Sequence, residues 1–443
     1  MKSLNSNLLT PRWLILAGGV GSRLKSLTGS LPKCMVPVAG KPLIFHQIER
    51  LQENGVNGID FLLGYNANLI VDDIQEYCEE IGIDINIYIE DEPLGTGGAL
   101  LQYWKNRPEP VGVLHGDLYI DLDIQPLTRK SNTESFDWKQ LVHPSTHLFD
   151  SDIVESDSFG HILNYHLKPH RNLTKIRNRT NAGVYFFEQG AIDWVLKNQL
   201  AFGEKFDLDR DLIPAMQLNG LQGIAIENFG YCRDIGTLER HREVEDQLLV
   251  GLPSRRVKPM IFLDRDGIIN QDFGHIKSLD EFQIIDGVID SIRELNSLGV
   301  WVVVVTNQPV IARGELTVKG LSEIHSHLEA SLAHGGAYLN DVYFCPHHPE
   351  GGHPGEVLEL KIDCTCRKPK PGLLLQALEK YPTDIERSVF VGDSLRDQQA
   401  AESIGVKFIG IRSALTSSAT NNHLFQYTNL YEALDAIKSY VTK

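Results

Sequence analysis

The stretch Trp13-Leu14-Ile15-Leu16-Ala17-Gly18-Gly19-Val20-Gly21-Ser22-Arg23-Leu24 is a five-residue apolar run that breaks into glycines. Continuous β-prone runs of this kind are buried on both faces, as in a parallel sheet. Glycines that follow such a strand let backbone N–H groups approach phosphate oxygens closely. Outward from it, similar runs recur at residues 59–63, 85–89 and 111–114, then at 260–263, 300–305, 388–391 and 407–410, with helix-like stretches between. That alternation predicts an α/β protein. Met260-Ile261-Phe262-Leu263 ends in Asp264-Arg265-Asp266-Gly267, a second strand-then-loop site. Between the two lies the segment 251–259, with a Gly, two Pro and a basic cluster. We therefore expect domains at 1–248 and 259–443 joined by a linker at 249–258, and a length of 443 residues fits two domains.

A formal net charge of -16 argues against nucleic acid as a partner, because a phosphate backbone demands a basic face. A small anionic substrate needs only a few local cations, backbone N–H groups and a metal. No run approaches the ~20 apolar residues of a membrane span. The N-terminal apolar run is short and flows straight into the glycine loop, unlike a secretory signal. Six cysteines in a chain this long are no disulfide scaffold, so a cytoplasmic location is expected. An oligomer is left open.

The first loop departs from two common phosphate-binding patterns. A dinucleotide fingerprint places a third Gly where Leu24 stands, and a Walker loop carries Gly-Lys-Ser/Thr. Arg23, inside the loop, can instead grip a triphosphate. Pro32-Lys33-Cys34-Met35 and Gly40-Lys41-Pro42 follow, then Leu94-Gly95-Thr96-Gly97-Gly98-Ala99, Gly116-Asp117 after a strand, His166-Leu167-Lys168-Pro169, Asn181-Ala182-Gly183-Val184-Tyr185 and Arg233-Asp234-Ile235-Gly236. Alone, each is an ordinary turn or surface segment. In this order they resemble the sugar-1-phosphate nucleotidyltransferase family over about residues 11–245.

The resemblance implies a Rossmann-like, GT-A-like mixed sheet. It also implies attack of a sugar 1-phosphate on the α-phosphorus of a nucleoside triphosphate. Asp117 and Asp234 would then hold Mg²⁺, a cation that prefers carboxylate and phosphate oxygens. Arg23 would hold the leaving phosphates, Lys33 the α-phosphate and Lys168 the sugar phosphate. Gly18, Gly19, Gly21 and Ser22 would line the phosphate loop, Gly97 the base loop and Asn181 the sugar strand. Cys34 reads as an inert small residue.

At the second site, an Asp at a strand's end can accept a phosphoryl group, and an Asp two residues on can move a proton. Thr306-Asn307-Gln308 ends one later strand and Gly392-Asp393-Ser394 ends another, and Arg367-Lys368-Pro369-Lys370 supplies cations between them. This order resembles the haloacid dehalogenase superfamily, which implies a Rossmannoid parallel sheet. Asp264 would be the nucleophile and Asp266 the proton donor and acceptor. Thr306, Asn307, Gln308, Ser394 and Lys368 would steady the phosphoryl group. Lys370 is a rival to Lys368. Asp264, Asp393 and the Asp266 backbone would hold Mg²⁺.

Cys345-Pro346-His347-His348 and Cys364-Thr365-Cys366 offer three thiols and an imidazole, the donor set of a structural Zn²⁺ clip. Cys345, His347, Cys364 and Cys366 are the expected ligands, with His348 and His353 as alternatives to His347. This loop resembles that of the heptose bisphosphate phosphatases and the related histidinol phosphate phosphatases. The resemblance puts Asp272 and His275 against the sugar and Arg367 on a second phosphate.

A phosphatase that leaves a 1-phosphate and a transferase that consumes one suit each other. The implied substrates are heptose 1,7-bisphosphate, heptose 1-phosphate and GTP. ATP is kept open because a Gly-Thr-Gly-Gly backbone accepts either purine. The alternative is a hexose-1-phosphate nucleotidyltransferase, for mannose 1-phosphate or another hexose, joined to a histidinol-phosphatase-like domain.

Overall fold

A computed structural model describes residues 11–129, 135–170, 176–412 and 425–443. Part of the N-terminal stretch weighed above as a signal lies outside the described residues. The chain divides into two compact units. The first takes the chain up to His143, Asp152–Leu167 and Thr180–Ser254. The second takes Pro144–Ser151, Lys168–Arg179 and Arg255–Lys443.

The first unit is built on β1 (Trp13–Ala17), β2 (Gly58–Leu63), β3 (Asp84–Ile89), β4 (Val111–His115), β5 (Trp138–His143), β6 (Ile153–Ser156), β7 (Ile162–His166), β8 (Thr180–Phe187) and β9 (Gly223–Glu227). The central order is β7-β6-β8-β4-β1-β2-β3, and β5 and β9 extend it from β8. β1 pairs in parallel with β2 and β4, whereas β8 runs antiparallel to β4, so the sheet is mixed. All five residues of β1 are buried, as its unbroken apolar run predicts. Helix α1 (Gly95–Asn106) packs Leu100 and Trp104 into the core on one face of the sheet. A separate ribbon pairs Leu118–Asp121 with Tyr231–Asp234.

The second unit holds a six-stranded parallel sheet of β10 (Lys258–Leu263), β11 (Trp301–Asn307), β12 (Asp341–Cys345), β13 (Thr383–Gly392), β14 (Lys407–Ile411) and β15 (Phe425–Tyr427). Its order is β12-β11-β10-β13-β14-β15. The central strand β10 therefore ends beside the ends of β11 and β13, where an open parallel sheet forms its crevice. Two helices bear on the site and its support, α2 (Val318–His334) and α3 (Leu395–Ser403). Among the described residues no helix is long and apolar enough to cross a membrane.

Candidate active sites

In the first unit, β1 delivers the glycine loop to the mouth of a cavity of about 500 Å³. Gly18, Gly19, Lys33, His115, Asp117 and Asp207 are among its lining residues. Gly21 is left-handed (φ 61°), and a Cβ there would lie 2.6 Å from that of Lys33. Glycine at this point thus lets the Lys33 stem close against the loop. Lys33 Nζ donates to Asp117 Oδ2 at 2.5 Å. Burial disfavours the Asp117 carboxylate, but Lys33 and His115 outweigh it and hold the carboxyl below its usual range.

The ribbon brings the second aspartate to the first. Leu118 faces Asp234 in register, and Ile235 N–H donates to the Asp117 carbonyl at 2.8 Å. Asp234 also pairs with Arg240. Two carboxylates 117 residues apart in sequence are thus carried by one ribbon, Asp117 lining the cavity with Lys33, and carboxylate oxygens suit Mg²⁺.

Ser22 and Arg23 are exposed beside this loop. Gly97 does not line the cavity: its N–H donates to Phe206 O at 3.1 Å and it packs against that ring. Thr96 and Ala99 line it instead. Asn181 donates to Asp209 Oδ1 at 2.9 Å, so its amide holds an acid already in place. Lys168 is exposed and heads the segment Lys168–Arg179, which groups with the second unit. Cys34 is buried, which pushes its thiol up to about 12 and fits an inert residue.

In the second unit, β10 ends at Leu263 and presents Asp264. Lys368 Nζ lies 2.9 Å from Asp264 Oδ2 and 2.7 Å from Asp397 Oδ1, and it donates to Val305 O at 2.9 Å. Burial works against the Lys368 ammonium, yet Asp264 and Asp397 offset it and raise its pKa. Asp264 is pushed well up by burial, against the pull of Lys368 and with Asp397 and Asp393 adding to the rise. Asp264, Asp393 and Asp397 each offer an oxygen within 4.8 Å of the others. Three carboxylates against one ammonium leave an excess of negative charge that a divalent cation fits. Lys370 instead pairs with Asp363 at 2.6 Å on the exposed side.

Asp266 stands outside that acidic cluster. Its Oδ1 accepts from Arg265 Nη2 at 2.8 Å and Asn270 Nδ2 at 3.0 Å, and its Oδ2 accepts from Gln308 Nε2 at 2.8 Å. Burial opposes its ionisation, but Arg265 and these donors hold its carboxyl below the usual range. Gln308 Nε2 also reaches Thr306 Oγ1 at 2.9 Å, and Asn307 is bonded in both directions to the Lys368 backbone at 3.0 Å. Ser394 caps α3 in a reciprocal box with Asp397. Burial and Asp266 raise the Asp272 carboxyl, while burial and Arg313 lower His275, so both feel the charges of this site. Arg367 donates to His347 O at 3.2 Å, and its pKa is lowered by burial, with Arg396 and Arg313 adding to the fall.

Cys345 ends β12, and its Sγ lies 3.5 Å from that of Cys364 and 3.3 Å from that of Cys366. His347 Nδ1 is 3.2 Å from Cys366 Sγ. Ligand atoms on a tetrahedral Zn²⁺ lie about 3.3–3.8 Å apart, given bonds near 2.0–2.3 Å. The four donors fit that ion. His347 belongs to the set, while His348 Nδ1 accepts from Glu350 N–H.

Sequence reasoning did not assign Asp397, because Ser394-x-x-Asp397 also reads as a helix cap. Nor did it pick out His115, Asp207 or Asp209, which stand in no motif. The exposed signal was only an acidic run, Asp207-Leu208-Asp209-Arg210-Asp211.

Residues 12–250 match the family model for nucleotidyl transferases, and residues 365–435 match a HAD-hydrolase-like model. The chain is 42% identical over 184 residues to the D-glycero-beta-D-manno-heptose-1,7-bisphosphate 7-phosphatase of Escherichia coli (strain K12), covering 41% of this chain and 94% of that protein. The protein of the same name from Yersinia pestis is 47% identical over 153 residues, 34% of this chain and 79% of that one. The crystal structure of HddC from Yersinia pseudotuberculosis is similar at 27% identity, covering 54% of this chain and 100% of that one with a TM-score of 0.45. The first match runs through the paired aspartates of the glycine-loop unit, and the phosphatases align over most of their own length. The chain accordingly belongs to the nucleotidyl transferase family and carries a haloacid-dehalogenase-type phosphatase of the heptose-bisphosphate kind behind it.

Proposed function

We propose that the second unit removes the 7-phosphate of D-glycero-D-manno-heptose 1,7-bisphosphate and that the first then joins heptose 1-phosphate to GMP from GTP. The observation that carries this reading is the presence of two separate acid–lysine centres in one chain, Asp117 with Lys33 and Asp264 with Lys368. One suits an acid-and-metal transfer between phosphates and the other a carboxylate nucleophile. The domain limits 1–248 and 259–443 and the linker 249–258 are part of the proposal, as is a cytoplasmic location.

In the phosphatase step, an Asp264 oxygen attacks the 7-phosphorus and the bond from phosphorus to the sugar oxygen breaks. Asp266 must carry a proton for this step, against the pull of Arg265, and gives it to that oxygen. Asp266 then takes a proton from the water that cleaves the aspartyl-phosphate, releasing inorganic phosphate. Lys368 and Thr306 orient the phosphoryl oxygens, and Arg367 holds the phosphate that stays. Asp264, Asp393 and the Asp266 carbonyl would hold Mg²⁺, which would neutralise charge on the phosphoryl oxygens.

In the transfer step, an oxygen of the sugar 1-phosphate attacks the α-phosphorus and the bond to the bridging oxygen breaks, so pyrophosphate leaves. Asp117 and Asp234 are the residues to hold Mg²⁺ there. Arg23, Lys33 and Lys168 hold the two anions in line. Zn²⁺ at Cys345, His347, Cys364 and Cys366 is structural in this reading.

The test is incubation of the full chain with Mg²⁺, the heptose bisphosphate and each nucleoside triphosphate separately, with products read by mass spectrometry. GDP-heptose with phosphate and pyrophosphate is the expected result. Phosphate without any nucleotide sugar would reopen the sugar of the first unit, and neither product would overturn the heptose reading.

A further inference from the structure

We infer that His115 and Asp209 form a hydroxyl-reading pair that sets which sugar 1-phosphate the first unit accepts. The inference rests on the nucleotidyltransferase reading above and deepens it. His115 ends β4, two residues before Asp117, and lines the cavity beside it. Its Nε2 is buried without a hydrogen-bond partner among the described residues. Asp209 Oδ2 stands 3.8 Å away, too far for a direct hydrogen bond. The other oxygen of Asp209 is fully engaged: Asn181 Nδ2 donates to Oδ1 at 2.9 Å, and the Tyr185 hydroxyl also donates to it. Asn181 and Tyr185 come from β8, the neighbour of β4. The acid is therefore fixed from behind, with its free oxygen turned toward an imidazole nitrogen that lacks a partner.

A 3.8 Å separation leaves no room for an atom on the line between the two, but lets a hydroxyl oxygen beside them reach both. An oxygen about 2.8 Å from each donates to Asp209 Oδ2 and accepts from His115 Nε2–H. That arrangement demands a hydroxyl rather than tolerating one, because a substrate without it leaves both buried groups unpaired. Gly183 shapes the same wall: a Cβ there would lie 3.4 Å from the His115 ring and 3.0 Å from Leu118. The position, beside the Asp117 end of the cavity, places the hydroxyl on the sugar ring rather than on the base. Asp207, which lines the cavity, is held apart from this pair by Thr96 Oγ1 at 3.1 Å.

The test uses the full chain with Mg²⁺, GTP and heptose 1-phosphate, together with mannose 1-phosphate and its monodeoxy analogues, following pyrophosphate release. Asp209→Asn and His115→Gln are each expected to raise KM for the sugar phosphate roughly tenfold or more while KM for GTP moves less than about twofold. The wild type should reject one deoxy position strongly, and both variants should lose that discrimination. His115→Gln keeps the test decisive if Asp209→Asn fails to fold, since it gives up only a tilted ring contact with Tyr185 at 5.7 Å and leaves intact the hydrogen bonds from Asn181 and Tyr185 to Asp209. Equal rises in both KM values, unchanged sugar KM, or undiminished rejection of the same deoxy analogue would overturn the inference. If the wild type releases no pyrophosphate with any sugar phosphate but still frees phosphate from the bisphosphate, the transferase reading itself fails and the inference falls with it.

Discussion

Lys368 is nearly sealed from solvent between two aspartates, and its contacts decide what substitution there does. Replacing it by Met leaves Asp264 and Asp397 facing each other across a buried site without their cation. Removing one partner of such a pair typically costs about 3 kcal/mol or more. We expect Lys368→Met to lower the urea midpoint of the second unit and to cut phosphate release by at least about a thousandfold. Asp264→Asn is expected to abolish phosphate release and leave pyrophosphate release from heptose 1-phosphate unchanged. Loss of both activities in Asp264→Asn would show that the two centres are not independent. At this scale the sequence was informative where a residue follows a strand: Asp117 and Asp264 are legible because an apolar run stops at them. Lys368 and Lys370 are both cations beside a proline, and only the fold shows that Lys370 is spent on Asp363. Asp209 was not legible, because its chemistry depends on Asn181 and Tyr185, brought to its helical turn from β8.

Seven of the eight apolar runs read from the sequence lie within a residue or two of a strand's limits, since burial on both faces writes itself into composition, and seven further strands of the two sheets stand in no such run. β13 is the exception: its run begins at Ser388, but the strand starts at Thr383, because its first residues are partly exposed and polar. The turn from parallel to antiparallel pairing at β8 leaves no mark in a run of apolar residues. Nor do the segments Pro144–Ser151 and Lys168–Arg179, which depart from between strands of the first unit. The second of them is attached in part by ion pairs. Asp341, on β12, accepts from Arg177 at 3.1 Å and Lys380 at 2.7 Å. Burial alone would raise the Asp341 carboxyl, but Arg177, Lys380 and Arg179 hold it far below the usual carboxylate range. A folded-state pKa below the unfolded one adds stability that is fully present above about pH 4 and is lost as pH falls from there. Asp341→Asn is therefore expected to lower stability near neutral pH by on the order of 2 kcal/mol and to flatten the acid limb of stability against pH. Denaturant unfolding of the second unit at pH 7 and pH 3 measures both. An acid limb as steep as in the wild type would assign it to other carboxylates.

The cluster of Cys345, His347, Cys364 and Cys366, proposed above to hold zinc, acts between elements as well. It ties the end of β12 to the stretch that continues directly into Arg367 and Lys368. Cys364→Ser should release zinc, measurable by metal analysis, and lower the unfolding temperature of the second unit. Phosphatase kcat should fall, because Lys368 is no longer held at Asp264, while pyrophosphate release persists. Full phosphatase activity in a zinc-free, folded protein would leave the clip no part in placing Lys368.

At the scale of the whole molecule, the chain crosses between units more often than a single linker requires. Phe149 stacks on His334 of α2 at 4.1 Å. The Asn178 N–H donates to Glu329 Oε2 of the same helix at 2.8 Å, and the buried Arg179 reaches Asn340 O at 2.6 Å. A chain ending at residue 254 keeps β1, the glycine loop, Asp117 and Asp234, so it should still bind nucleoside triphosphate. It loses Glu329, Asn340, Asp341 and His334, the partners that fix both segments. Arg179 then loses the Asn340 carbonyl and keeps the Asn178 carbonyl of its own segment. Lys168, proposed above to hold the sugar phosphate, heads the second of these segments. We expect residues 1–254 to show a KM for GTP within about twofold of the full chain and a KM for the sugar 1-phosphate raised roughly tenfold or more, the loss of one charge-assisted contact. Steady-state pyrophosphate release from both proteins decides it. An unchanged sugar KM would mean that transfer does not depend on residues beyond 254. A selective rise would mean that it does, and that the two activities cannot be separated by cutting the chain there.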